Sequence, residues 1–382
     1  MVRVYLLPHG FQQEYEVGFA NGLAAQSNCE VIMIASDNTL VGRLASSVKV
    51  MPLRGSQESG RGFIAKVCNM AKYWFSYFGL AIKDRRAIFH FNGLFSMRGN
   101  LAVLLESFLA RLFIRNWVLS VHNLLPHDSE GRLTRIIYGI VYRLPNLLVV
   151  HTKLMRQSLI GEFGVSPDKI VIIEHGIDLF SNLDPADRDY GRKKILGVGD
   201  DERVVLSFGK VMRYKGLEEF IVATDQFVRP TDQWVFVIAG VCADSELRES
   251  ISSKLAKNNN GMKVIWFDRY IEHNEASKLL AASDVMVMPY RKIDQSGVIF
   301  TALSYGVPVV ATNVGSLCEY ASLGGGCVVG QSVDEAFIGA IRDTLKEVTW
   351  SDRSKTVERA RTYFEWCAVL KPLVSSYEGI VE

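Results

Sequence analysis

Short apolar runs rich in β-branched residues recur along the chain, each followed by a polar turn and then a stretch of helical length. In the first half they are 2–8 (VRVYLLP), 29–35, 87–93, 116–123 (NWVLSVHN), 146–152 and 169–176; in the second, 203–209 (RVVLSFG), 233–240, 262–267, 284–290 and 307–312. Runs that are apolar throughout, rather than at alternate positions, suit strands covered on both faces, and parallel strands need the helices between them as crossovers. The pattern predicts α/β architecture in two Rossmann-like, doubly wound domains. No strand pattern crosses 178–202, which is polar, charged and holds Pro185 and several glycines, and this places the domain division at 185/186. Beyond 330 the pattern turns helical to the end.

Composition agrees with a folded, two-core protein. At 382 residues the chain exceeds what one core usually serves, and 48% hydrophobic with 22% charged residues excludes wholesale disorder. The six cysteines include no C-x-x-C pair, which fits neither a zinc ribbon nor a disulfide framework and points to a reducing compartment. The first apolar run is too short for a secretory leader, and no stretch reaches the roughly 18 apolar residues of a spanning helix. The expected location is the cytoplasm.

Charge changes that picture in one region. Residues 61–119 hold nine Lys/Arg against Asp84 and Glu106, a net +7, while the rest of the chain sums to −5. The same region carries KYWFSYFGL (72–80) and FLARLFIRNW (108–117). Cations mixed with aromatic and aliphatic side chains suit an anionic membrane surface, which makes peripheral attachment to the inner face of a membrane the expectation beside an ordinary solvated basic face. No nucleic-acid module accompanies the charge, so nucleic acid is not expected as a partner.

In open parallel sheets ligands sit beyond the carboxyl ends of the strands, where helix N-termini offer N–H groups to phosphate. Two such places hold polar chemistry. After 203–209 comes GKVMRYKG, with Lys210, Arg213 and Lys215 just ahead of a helix. After 284–290 comes RKIDQSG, where Ser296, Gly297 and Val298 open a helix that Gly306 and Pro308 terminate. Clustered cations at a strand end repel one another unless they are solvated or face an anion such as a diphosphate.

The pair FGKVMRYKG and PYRKIDQSGVIFTALSYGVPVVATNVGSLCEY, in this order and separation, resembles the nucleotide-sugar domain of the GT-B glycosyltransferases, family 4 in particular. SVHNLLPHD (120–128), IIEHGID (172–178) and WFDRYIEHNEASKLLAASDVMVMPY (266–290) agree with it. The resemblance implies the GT-B fold, two Rossmann-like domains facing across a cleft: an acceptor domain over 1–185, a nucleotide-sugar domain over 186–360, and a helix in 361–382 packing back on the first. It implies a hexosyltransferase that moves a hexose or hexuronic acid from a UDP- or GDP-sugar to a saccharide or polyprenyl-linked acceptor in glycan or polysaccharide biosynthesis. The nucleotide sugar is then a co-substrate, and no cofactor is called for.

Residue by residue, the resemblance implies that Lys210 and Lys215, with Gly209 and Arg213, meet the donor diphosphate, and that Ser296, Gly297 and Val298 give it backbone N–H groups. Asp268, Arg269, Tyr270 and Ile271 line the base, mostly through the main chain. His122 touches the donor sugar, and His9, Gly10, Phe11, Gln12 and Asp128 lie near the acceptor. One departure concerns the two glutamates with seven residues between them that family 4 places here: they fall near Ile293 and on Thr301. Asp294 and Gln295 are the nearest groups able to bond the sugar.

Neither of the two strand-end turns holds a metal-ligand set of the Asp-x-Asp kind, so the cations and N–H groups are expected to carry the leaving charge. Retention of configuration needs no protein base, because a leaving phosphate oxygen can take the acceptor proton; inversion would call on His9, Glu14, His122 or Asp128. Two other functions stay open. A sugar-nucleotide epimerase would need carboxylates that 293–301 lacks, and a GT-B scaffold that binds nucleotide without turnover would explain the same lack. A nicotinamide enzyme is disfavoured because no G-x-G-x-x-G follows the first strand.

Overall fold

The apolar runs of the first half become parallel strands in a computed structural model that describes residues 1–8, 13–58, 60–94, 100–126, 131–177, 183–257 and 261–382. They are β1 (Val2–Leu7), β2 (Cys29–Ser36), β3 (Lys49–Gly55), β4 (Ile88–Phe91), β5 (Asn116–Ser120), β6 (Leu147–Val150) and β7 (Ile170–Ile172), in the sheet order β3-β2-β1-β4-β5-β6-β7. Between them run α1 (Gln13–Ala24), α2 (Phe63–Lys83), α3 (Asn100–Phe113), α4 (Arg132–Arg143) and α5 (Lys153–Gly161).

The second half repeats the plan. After the short α6 (Pro185–Tyr190) come β8 (Arg203–Phe208), α7 (Leu217–Phe227), β9 (Trp234–Ala239), α8 (Ser245–Lys257), β10 (Lys263–Phe267), α9 (His273–Ala282), β11 (Val285–Met288), α10 (Gly297–Ser304), β12 (Val309–Thr312), α11 (Leu317–Tyr320) and β13 (Cys327–Val329). The strands pair in parallel in the order β10-β9-β8-β11-β12-β13. Helices α12 (Glu335–Glu347), α13 (Arg353–Phe364), α14 (Trp366–Val369) and α15 (Lys371–Val381) complete the chain. Two units result: Met1–Asp178 with Phe364–Glu382, and Leu179–Tyr363.

In the first unit successive side chains of one strand feed two different cores, as a pleated strand requires. On β1, Val4 and Leu6 join α1, α14 and α15 around Phe19, Trp366 and Tyr377, while Tyr5 and Leu7 join α2 to α5 around Tyr77, Trp117 and Tyr138. The C-terminal segment is thus part of this unit's core. Trp366 packs so closely that a Cβ on Gly22 would lie 2.6 Å from its Cβ, and one on Gly176 2.1 Å from its ring.

In the second unit Val205, Phe236, Ile238 and Val287 pack under α7, α8 and α12, with Phe220 and Phe337 fully buried. Arg192 lies just ahead of this sheet and is also buried. Its guanidinium donates to Asp284 at 3.1 Å and to the carbonyl oxygens of Ala282, Gly199 and Glu202 at 3.1, 2.6 and 2.6 Å. Asp284 also accepts the Val204 N–H at 2.8 Å, so this one ion pair ties the interdomain segment to β8 and to the start of β11.

All eleven strands read from the sequence are present. Two more, β3 and β13, were not anticipated, and both are edges. An edge strand pairs on one side only and need not be apolar throughout: β3 carries Lys49, Pro52 and Arg54 and is mostly accessible, and β13 has three residues.

Candidate functional site

In the second unit the strand order reverses between β9-β8 and β11-β12, so the segments after β8 and β11 border the crevice where such sheets bind ligands. Both cation-bearing and N–H-bearing turns of the sequence lie there. The turn after β8 passes Gly209 and Lys210 and re-enters at Lys215 and Gly216, immediately before α7.

Lys215 is buried at 5% exposure. Its Nζ donates to the Phe208 carbonyl oxygen at 3.1 Å and sits 5.6 Å from the centre of the Tyr290 ring. Among the described residues it makes no ion pair, and burial lowers its pKa to about 8. A buried ammonium held by one carbonyl and one ring face is an incomplete set of partners for a cation.

What aims this lysine is a close approach of two loops. Gly216 has φ +66°, and a Cβ there would stand 1.9 Å from the Pro289 carbonyl oxygen. The Arg291 N–H donates to the Tyr214 carbonyl at 2.7 Å, and Thr312 Oγ1 donates to the Tyr290 carbonyl at 2.5 Å. The loop after β11 is therefore pinned against the loop after β8. On the other side of Lys215, a Cβ on Gly209 would be 3.2 Å from Nζ and 3.4 Å from Val298 Cγ2, which brings the lysine, the glycine turn and the first turn of α10 together.

At the start of α10, Ser296 is the N-cap in extended conformation and its hydroxyl does not cap the helix; it bonds the Tyr290 hydroxyl instead. The N–H groups of Gly297 and Val298 then have no acceptor within the helix and face outward with the positive end of its dipole. Asp294 is half-buried and its carbonyl accepts the Ser316 N–H at 3.2 Å. Gln295 Oε1 is buried with no hydrogen-bond partner among the described residues. Thr301 turns its hydroxyl back to the Gly297 carbonyl at 3.3 Å, a helix-internal bond.

The remaining residues expected at the donor divide into two groups. Lys210 is exposed. Arg213 is engaged elsewhere: its guanidinium takes both oxygens of Asp244, at 2.7 and 3.0 Å, and Glu246 at 3.1 Å, so its charge is already met by carboxylates. After β10, Asp268 accepts the Cys242 N–H at 2.7 Å and Arg248 Nε at 2.5 Å, which hold its pKa down and fix the turn in place. Arg269 forks onto Glu275 at 2.7 and 2.6 Å, Tyr270 projects outward and Ile271 is buried.

The first unit places His122 after β5, in an aromatic cluster the sequence did not announce. The Tyr15 ring lies 4.9, 5.5 and 5.1 Å from the rings of His122, His151 and His175, and 5.1 Å from Trp366. His151 is held between the Tyr15 hydroxyl at 3.3 Å and the Ile173 carbonyl at 3.1 Å, and His175 Nδ1 donates to the Gly176 carbonyl at 2.7 Å. His90 bridges Ser120 at 2.8 Å and the Tyr377 hydroxyl. Burial lowers His90 and His151 to about 3 and His175 to about 4, so all three are neutral at pH 7. Glu14 faces Arg43 at 3.8 Å. His9, Gly10, Phe11, Gln12 and Asp128 lie outside the described residues.

Sequence reading missed Tyr15, Trp366, Gly216 and Tyr290. The signal for Gly216 was its place after Lys215, ahead of a helix; the others are partners that only folding brings near.

Among the described residues no group of three or more His, Cys, Asp or Glu could hold a metal ion, and no helix is long and apolar enough to cross a membrane.

Comparison with known proteins finds similarity in sequence and in fold. Residues 192–363 match the model of the glycosyl transferases group 1. A D-inositol 3-phosphate glycosyltransferase of Corynebacterium aurimucosum is 27% identical over 203 residues, 52% of this chain and 48% of that protein. A lipopolysaccharide core biosynthesis mannosyltransferase of Rhizobium meliloti is 29% identical over 154 residues, 39% of this chain and 42% of that protein. The chain thus spans about half the length of these curated relatives. Among solved structures, the Anabaena protein HepE in complex with UDP-glucose superposes with TM-score 0.71 at 17% identity, over 99% of this chain and all of that one. Sucrose-phosphate synthase of Thermosynechococcus elongatus superposes with TM-score 0.74 at 18% identity, over 100% and 99%. The fold class is GT-B.

Proposed function

With residues 192–363 a glycosyl transferases group 1 domain, we propose that the chain is a glycosyltransferase that moves a hexose or hexuronic acid from a UDP- or GDP-sugar to a saccharide or lipid-linked saccharide in glycan or polysaccharide biosynthesis. The observation that carries this reading is Lys215: a buried ammonium without a carboxylate, beside the outward N–H groups of Gly297 and Val298. A diphosphate completes that set of partners, and the named relatives act on sugars, one solved neighbour being a UDP-glucose complex.

In the proposed reaction the acceptor hydroxyl oxygen bonds to the anomeric carbon as the bond from that carbon to the diphosphate oxygen breaks. Lys215 and the α10 N–H groups stabilise the negative charge that arrives on the diphosphate, where preorganised donors are worth most. Lys210, exposed at the mouth of the same turn, adds a second cation. Asp294 and Gln295 hold sugar hydroxyls, and the unpartnered Gln295 Oε1 is an acceptor waiting for a donor. The resemblance of SVHNLLPHD gives His122 a contact with the donor sugar. The proton of the acceptor passes to the leaving phosphate oxygen, which gives retention and needs no protein base. Charge neutralisation by these groups makes the transfer metal-independent.

A second reading rests on Thr301, whose hydroxyl is turned into its own helix where the family carries a glutamate: a scaffold that binds nucleotide without turnover. Thermal stability measured with UDP, GDP, ADP, CMP and their sugars tests both. A ligand at about 100 times its dissociation constant adds roughly 2.7 kcal/mol, so one nucleotide family should raise Tm, and sugar release from that donor should follow. Binding without transfer or hydrolysis selects the scaffold, and no shift with any nucleotide refutes the donor site.

A further inference from the structure

Helices α2, α3 and α4 cover the same face of the first unit's sheet, and all three carry apolar stripes on the side turned away from it. On α3 the core side is Val103, Ser107 and Ala110, while Leu101, Leu105, Phe108 and Leu112 recur on the opposite side and are exposed, Leu101 at 80% and Leu112 at 74%. The one carboxylate of that helix, Glu106, is buried among the core residues. A helix with its acid inside and its leucines outside reverses the order that water imposes.

The neighbours repeat the arrangement. On α2, Tyr73, Tyr77 and Ala81 face the sheet, and Ile64, Cys68, Phe75 and Ile82 lie outward, with the first turns from Phe63 to Cys68 exposed on all sides. On α4, Ile137, Tyr138 and Val141 face the sheet, and Leu133, Ile136 and Ile140 lie outward. Scattered exposed leucines are ordinary, but three adjoining stripes are not.

On the three helices themselves the exposed charges are of one sign. Lys72, Lys83, Arg111, Arg115 and Arg132 are exposed, and no exposed Asp or Glu lies on any of the three helices. Of the acids that flank these helices, Asp84 pairs with Arg3 and Glu162 with Arg135. The sequence showed the basic, aromatic stretch over 61–119; folding adds α4 to it and sorts the apolar side chains to one side.

We infer that the outer face of α2, α3 and α4 is a docking surface for an anionic lipid bilayer, with the apolar stripes inserted at the level of the acyl chains and the Lys/Arg at the headgroups. Interfacial helices bind lipid through this combination of buried apolar area and attraction to anionic headgroups. Charge complementarity selects the occupant. A second copy of the chain would set this cationic face against itself, and nucleic acid has no use for thirteen protruding aliphatic and aromatic side chains in three helices. The inference is independent of the donor site in the second unit.

The test is co-sedimentation of the full chain with vesicles of phosphatidylcholine alone and of phosphatidylcholine mixed with phosphatidylglycerol. Binding is expected to the mixed vesicles and to weaken with salt. Phe75→Ser with Leu105→Ser and Leu112→Ser, all exposed positions, should lower partitioning at least roughly tenfold, while Lys72→Glu with Lys83→Glu should abolish the preference for anionic vesicles. Tm and the nucleotide-induced shift should be unchanged in both variants, which separates this surface from the donor site. Absence of sedimentation, equal sedimentation of parent and variants, or a dimer in analytical ultracentrifugation that the serine variant dissolves would each overturn the assignment.

Discussion

The Lys215 ammonium hydrogen-bonds the Phe208 carbonyl at 3.1 Å, so the last strand residue before the turn holds the cation that the turn delivers. The lysine is buried and makes no ion pair among the described residues, and removing its charge should help the fold while harming function. Lys215→Met should leave Tm unchanged or raised and weaken nucleotide-diphosphate affinity by about 2–4 kcal/mol, read by calorimetric titration and differential scanning.

The same group gives a pH signature. Its folded pKa of about 8 lies below the ordinary lysine value of 10.5, so between these values the unfolded chain binds more protons and stability rises with pH. Nucleotide affinity should fall over the same interval if, as proposed, the phosphates meet this ammonium. Titrations from pH 7 to 10, with Lys215→Met as the flat control, check both slopes; parallel slopes in parent and variant would remove Lys215 from the site.

Gly216 and the Pro289 carbonyl test the loop geometry. At φ +66°, any side chain on residue 216 would put its Cβ 1.9 Å from that oxygen, so Gly216→Ala must displace the loop after β11 or lose the turn. A destabilisation on the order of 1–3 kcal/mol in the second unit is expected, with loss of nucleotide-induced stabilisation. Hydrogen exchange over 285–297 would report the displaced loop directly.

Arg192 offers a stability test away from the site. Replacing it by Leu leaves Asp284 and three carbonyl groups without their buried cation, at a cost of about 3–5 kcal/mol. Urea denaturation should show the second unit unfolding earlier and the first unit unchanged.

Acid should act on the other unit. His90, His151 and His175 are held neutral, with folded values of about 3, 3 and 4 against an ordinary 6.5. The unfolded chain therefore binds more protons below pH 6.5, and the stability these residues contribute is complete above that pH and is lost as pH falls towards 4 and 3. At pH 5 each histidine forfeits on the order of 2 kcal/mol. Exchange protection in β4, β5 and β6 should fall between pH 6.5 and 4.5 before that of β8, β9 and β11; the reverse order would refute the account.

Much of the proposed donor turn was legible because its determinants are local. Lys210 and Lys215 just ahead of a helix, and Ser296-Gly297 before an apolar helix, are short-range patterns whose meaning depends on a strand ending just upstream. The role of Arg213 was not legible, because its partners Asp244 and Glu246 lie across a neighbouring loop and charge alone does not say which anion a cation meets. Nor was the ring cluster around Tyr15, whose members come from α1, the ends of β5, β6 and β7, and the C-terminal α14.

By itself the sequence determined eleven of the strands, the two doubly wound units and the turns that follow β8 and β11, since apolar periodicity and glycine placement act over a few residues. Tertiary structure alone decided the edge strands β3 and β13, which need only one partner, and the neutral state of the histidines, which depends on what covers them. It also decided the outward stripes of α2, α3 and α4. A helix with apolar residues on two sides does not say which side the sheet will take; packing settles it, and the other side is left to water or to lipid.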